Sequence, residues 1–150
     1  MSAPIDRNRG IDKSAREHGL AWVILSIALA IHVADEALGD FLSFWNPLVR
    51  AIRERIPFLP LPTFVFEVWI GGLILGVLVL LALSRYAFHG ARWMVPLSYA
   101  LGVMMFGNGL FHILGSIHIG EMMPGVYSAP LLLAASVYLV RSAYRRADTL

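Results

Sequence analysis

Six polar side chains in an otherwise apolar sequence have the types needed to bind a metal or move a proton: His32, Asp35, Glu36, Glu67, Asn108 and His112. His32, Asp35 and Glu36 stand at i, i+3 and i+4, so a helix places them on one face, and Asn108 and His112 repeat the i, i+4 spacing. An ionisable group at the centre of a membrane helix is unfavourable by about 3 kcal/mol on insertion scales and marks function by default. Imidazole and carboxylate without thiolate fit zinc, manganese or iron, and the chain has no cysteine. His32, Glu36, Glu67 and His112 are therefore the expected ligands of a divalent metal ion, with Asp35 and Asn108 orienting ligands or substrate. Asp35, Glu36 and Asn108 are the candidate catalytic groups. The Glu-x-x-His pair of bundle di-metal sites is reversed here, which ranks one metal above two.

The same residues permit metal-free chemistry. Clustered carboxylates in a low dielectric cannot all ionise, and a His–carboxylate pair could then transfer protons in an isomerase, or relay protons or ions in a carrier. Taken singly, each residue has a plainer role. His32 would hydrogen-bond between helices, Glu67 would sit near headgroups at a helix N-terminus, and Asn108 would bridge helices. Their coincidence carries the functional reading.

The elements that must position these groups follow from composition. The 150 residues are 58% hydrophobic and 15% charged, which fits a small multi-span membrane protein. The net charge of +2 is too small to point to nucleic acid. Residues 1–18 read as a polar tail, and residues 147–150 as a second one. The domain between them, 19–146, holds four expected spans at about 20–38, 64–84, 93–117 and 126–144; the first is roughly 28 Å long, enough to cross a bilayer. Pro47, Pro57, Pro60 and Pro62, with Arg50, Arg53 and Arg55, exclude the connector from the membrane. Val49, Ile52 and Ile56 recur at helical spacing there, so residues 47–56 predict a short amphipathic helix lying in the interface, its arginines against lipid phosphate. The fold class is all-α: a four-helix transmembrane bundle with that interfacial helix between helices 1 and 2.

Four spans put both termini on one side, with Arg7, Arg9, Lys13, Arg16, Arg85, Arg92, Arg141, Arg145 and Arg146; only Arg50, Arg53 and Arg55 fall opposite. The positive-inside rule makes that side cytoplasmic, so the chain is expected to be a multi-pass protein of the cytoplasmic membrane. The six polar groups then gather in the outer third of the bundle, beside His118, Glu121 and Tyr127, while the cytoplasmic halves read as apolar. His18 and His89 lie on the other side and receive no role.

His32-x-x-Asp35-Glu36, Asn108-x-x-x-His112 and Pro124-Gly125-Val126-Tyr127-Ser128-Ala129 together resemble the HXXEE-domain membrane proteins over about residues 28–140. Asp35 stands where the motif has its first Glu, and its shorter side chain reaches less far. The resemblance implies the fold and the site and supplies no reaction. The leading expectation is a small integral-membrane enzyme with a His/carboxylate, metal-binding site near the outer face, acting on a lipid-like or amphiphilic substrate. A proton- or ion-coupled carrier is the alternative, and a metal-free isomerase or a structural membrane partner comes third. Membrane lipids are the expected surroundings, and the glycine-rich helix faces would allow a homo-oligomer.

Overall fold

The computed structural model describes residues 4–149, with side chains from Lys13 onward. The outermost parts of both expected tails, residues 1–3 and Leu150, lie outside the described residues, as do the side chains of Arg7 and Arg9. Five helices follow one another: α1 (Pro4–Leu38), α2 (Phe41–Arg55), α3 (Phe66–Phe88), α4 (Met94–Ile119) and α5 (Ala129–Ala147). The fold is all-α, and the described residues contain no strand.

α1 begins far upstream of the expected Leu20. No proline or glycine interrupts Ile11 to His18, and Ala15 and His18 are buried against other helices, so the polar lead simply continues the helix. Asp40, in a left-handed turn with φ 56°, separates α1 from α2. α2 starts at Phe41, six residues before the expected helix, and Pro47 stays inside it. The connector after α2 is pinned from α2 itself. Asn46 donates to the Phe64 carbonyl at 2.9 Å and accepts its N–H at 3.0 Å, while the Trp45 indole donates to the Pro62 carbonyl at 3.0 Å.

Three helical segments are long and apolar enough to cross a membrane, Lys13–Leu38, Phe66–Phe88 and Met94–Ile119, rather than the four expected. α5 does not qualify, because Arg141, Arg145 and Arg146 occupy its C-terminal third. Its apolar part before Arg141 is about 18 Å long, against a hydrocarbon core of about 30 Å. α5 nevertheless packs along its length between α1 and α4, and α3 packs on α1. The core lies where these helices meet, built from Trp22, Leu25, Met94, Leu101, Leu132 and Leu139. Arg146 donates to the Gly90 carbonyl at 3.0 Å and to Ser14 at 3.2 Å, and Arg145 pairs with Glu17 at 3.6 Å. These contacts bring the 14–17 stretch of α1, the α3–α4 turn and the end of α5 to one end of the bundle, the terminal end. The α1–α2 junction and the α4–α5 loop (residues 120–128) form the other, the loop end.

Candidate metal centre

At the loop end, one face of α1 and one face of α4 converge under the 120–128 loop. His32, Glu36 and His112 are all buried there, at 1%, 5% and 1% exposure, and each offers a donor atom within 4.8 Å of the others. The i, i+4 step on α1 sets His32 Nε2 3.6 Å from Glu36 Oε1. His112, projecting from α4, brings its Nε2 to 3.0 Å from the same oxygen. Its ring stands nearly perpendicular to that of His32, with centroids 4.7 Å apart. Phe41 of α2 packs its ring 5.5 Å from His112 and 6.0 Å from Trp69 of α3, so the α2 connector forms one wall.

The roof is Gly125. It holds φ +90°, and a Cβ there would lie 2.8 Å from the His112 ring and 3.0 Å from the Glu36 side chain. Only glycine allows the loop to close so near the two side chains.

Hydrogen bonding fixes the orientation of His32. Asp35 turns away from Glu36 and accepts both the Ser128 N–H, at 2.9 Å, and the Ser128 hydroxyl, at 2.8 Å. The carboxylate thus satisfies an N–H at the start of α5, where the helix dipole favours a negative charge. The Asp35 carboxylate and the Gly125 carbonyl, 3.2 Å from the hydroxyl, both only accept, so the single Ser128 proton is taken up on their side and the Ser128 oxygen must accept from its remaining neighbour. That neighbour is His32 Nδ1 at 2.9 Å, which is therefore the N–H of the ring. A neutral His32 then presents its Nε2 lone pair to the Glu36 carboxylate, one acceptor against another.

Further buried polar atoms at this point lack hydrogen bonds. Both ring nitrogens of His112 have no hydrogen-bond partner, and His32 Nε2 and the neighbouring Asn108 Oδ1 make no hydrogen bond of proper geometry. The 3.0 Å approach of His112 to Glu36 does not have hydrogen-bond geometry. Asn108, one turn before His112, lies beside the His32 ring. Leaving a buried polar group unsatisfied is unfavourable by about 1–3 kcal/mol, and these gather in one place.

The donor set fits a metal. Donor atoms around a tetrahedral zinc at about 2.0–2.1 Å lie roughly 3.3 Å from one another. The separations of the two histidines from Glu36, 3.6 and 3.0 Å, bracket that value, and all three donors lie within 4.8 Å of one another. Two imidazoles and a carboxylate also make up the three-ligand set of hydrolytic zinc enzymes, which leaves a fourth position for water or substrate. The Asp35–Ser128–His32 chain has the form of the hydrogen-bonded supports that hold metal-binding histidines in one tautomer.

Of the six sequence-predicted residues, the structure brings His32, Glu36 and His112 together, with Asn108 beside them and Asp35 one hydrogen bond removed through Ser128. It does not bring Glu67, which is exposed on the first turn of α3. His118, Glu121 and Tyr127 are exposed and also stay outside the group. Ser128 and Gly125 received no individual role from the sequence, although both lie in the Pro124–Ala129 stretch that carried the family resemblance.

The expectation of apolar halves at the other end is corrected. His18 is fully buried and hydrogen-bonded to Ser98 Oγ at 2.7 Å, and the Trp22 indole donates to the same oxygen at 2.8 Å. His89 is exposed at the end of α3, its ring against the Arg85 carbonyl.

The family described as "protein of unknown function with HXXEE motif" matches residues 23–139, most of the chain, and the chain belongs to it. No curated protein and no solved structure matches the chain.

Proposed function

We propose that this HXXEE-family chain is an integral-membrane metalloenzyme whose His32, Glu36 and His112 hold one divalent ion, zinc, manganese or iron, and whose substrate is an amphiphile reached from the membrane. The observation that carries the reading is the meeting of His32 Nε2 and Glu36 Oε1 as two acceptors, with the His32 tautomer fixed from behind by Ser128 and Asp35. A cation between them removes the conflict. A proton shared by Glu36 and a histidine would relieve that one pair, whereas an ion would engage His32, Glu36 and one ring nitrogen of His112 together.

In this reading the chain's residues have separate tasks. Glu36 and the histidines bind, Asp35 acts through Ser128 to hold the His32 ring, and Asn108 presents its amide oxygen to the open position. The bound ion would supply Lewis acidity. Phe41, Gly125 and the 120–128 loop keep bulk water from the group, which strengthens every charge interaction inside. Substrate entry requires the loop to move, since all three ligands are covered.

We also propose that the terminal end faces the cytoplasm, as its collected arginines suggest, and that α2 lies in the opposite interface with Arg50, Arg53 and Arg55 at the headgroups. The carrier alternative finds less support. His18 and His32 are about 21 Å apart along α1, and Trp22, Leu25 and Ala28, all buried in the core, fill much of the interval.

The test is metal-dependent turnover. Full-length protein in nanodiscs, loaded with zinc, manganese or iron, is incubated with a membrane lipid extract and the lipid species are followed by mass spectrometry. Consumption of one species that chelation stops and the same metal restores supports the enzyme. Stoichiometric metal with every species unchanged refutes catalysis on these lipids and leaves a structural or storage site; proton flux in vesicles that His32→Ala abolishes would instead favour the carrier.

A further inference from the structure

A second feature lies on the opposite side of α4 from His112. An apolar groove of about 460 Å³ runs between α4 and α5, with Val103, Phe106, Val137 and Val140 along it and Arg141 and Tyr144 at its terminal end. The helices close beneath it at Gly102, where a Cβ would come within 2.5 Å of Val140 Cγ2. Ser136 also lines it, but its hydroxyl bonds back to the Leu132 carbonyl at 2.7 Å, so it makes no polar demand on an occupant. Val103 and Val137 are 69% and 54% exposed, and α4 is long and apolar enough to span a membrane, so the groove opens towards lipid.

What sits at its end decides the occupant. Arg141 is exposed, and among the described residues no carboxylate lies within ion-pair distance of it; the nearby Glu17 pairs with Arg145. Tyr144 and Tyr99 flank the same end with rings that are apolar in body and polar at the tip, the type enriched at headgroup level. An apolar channel ending in an unpaired cation between two tyrosines matches an anionic amphiphile lying along the helices. A second copy docking through the same face about a two-fold axis would bring two uncompensated Arg141 side chains into one interface, with no carboxylate among the residues lining the groove to offset them.

We infer that this groove holds one acyl chain of an anionic phospholipid from the leaflet at the terminal end, with Arg141 on the phosphate. The site is separate from the metal centre and does not depend on it.

Native mass spectrometry of the full-length protein in detergent, with phosphatidylglycerol or phosphatidylcholine added, tests this. Wild type should retain phosphatidylglycerol in preference to phosphatidylcholine. Arg141→Gln should weaken the phosphatidylglycerol adduct about fivefold, the loss expected for one basic side chain near an anionic headgroup, and leave phosphatidylcholine unchanged. Arg141→Lys should keep the preference, and Val137→Trp, which fills the groove, should weaken both adducts. Metal content and thermal unfolding, followed on the same samples, should stay at wild-type values in the Arg141 variants. Equal retention of the two lipids by wild type, or a preference untouched by Arg141→Gln, overturns the proposal. So does a dimer that Val137→Trp dissociates, since a second copy would then be the occupant.

Discussion

Two buried histidines on one helix, His18 and His32, sit in polar groups at opposite ends of the bundle, and the two groups are built differently. Around His18 a single hydroxyl serves several partners. Ser98 Oγ bonds to His18, accepts the Trp22 indole N–H and contacts the Met94 carbonyl at 2.7 Å, tying α1 to α4. His18 Nδ1 alone is left over from that set. Around His32 the hydrogen bonds lie on the outside, at Ser128 and Asp35, and the inside holds acceptors that face one another. A buried histidine is therefore weak evidence of function. The direction in which its unsatisfied atoms point, and what else converges there, is the informative observation.

That contrast can be broken in order of expected effect. Glu36→Gln should have the largest, removing bound metal altogether, because the one charged ligand is lost; elemental analysis of the purified variant checks it. Ser128→Ala and Asp35→Asn leave all three ligands in place and should weaken metal affinity by about 10- to 100-fold, read by competition with a chromophoric chelator. If either variant binds as tightly as wild type, the hydrogen-bonded support of His32 is not part of the site. At the other end, Ser98→Ala strands the Trp22 and His18 donors and should lower unfolding stability by about 1–3 kcal/mol with unchanged metal stoichiometry, measured by thermal denaturation beside metal analysis. Glu67→Gln should change neither quantity, since its side chain is exposed and outside the group of three donors; a loss of metal there would require a different ligand set.

The convergence of His32, Glu36 and His112 in the candidate site is legible in part because helical spacing is rigid. Asp35 lies one residue before Glu36, so its side chain diverges by roughly 100° around α1 and meets Ser128 instead of the histidines. The i, i+4 relation of Asn108 to His112 likewise placed both on the face of α4 that turns to α1. The placing of Glu67 is not legible in the sequence, because its position fixes only its depth, one turn into α3, whereas the facing of α3 is set by packing on α1. Ser128 escaped notice because a serine before a helix is ordinarily a cap for that helix. Here its hydroxyl leaves the helix and serves Asp35, a contact between residues 93 positions apart. The expected fourth span failed on local composition: α5 is long enough to pack in the bundle, yet its arginines shorten its apolar part. The role of His18 is not visible in the sequence because the polar residues before Leu20 read as a tail, while α1 runs through His18 and buries it.

In the proposed function, the group at His32 holds a metal and the group at His18 does not. The most direct measurement is the metal content of detergent-purified full-length protein after zinc, manganese or iron supplementation, compared for wild type, His112→Ala and His18→Ala. Wild type and folded His18→Ala should each carry near one equivalent of a single metal, and His112→Ala none. Equal metal in all three, or none in wild type with any of the ions, would contradict that assignment of the metal.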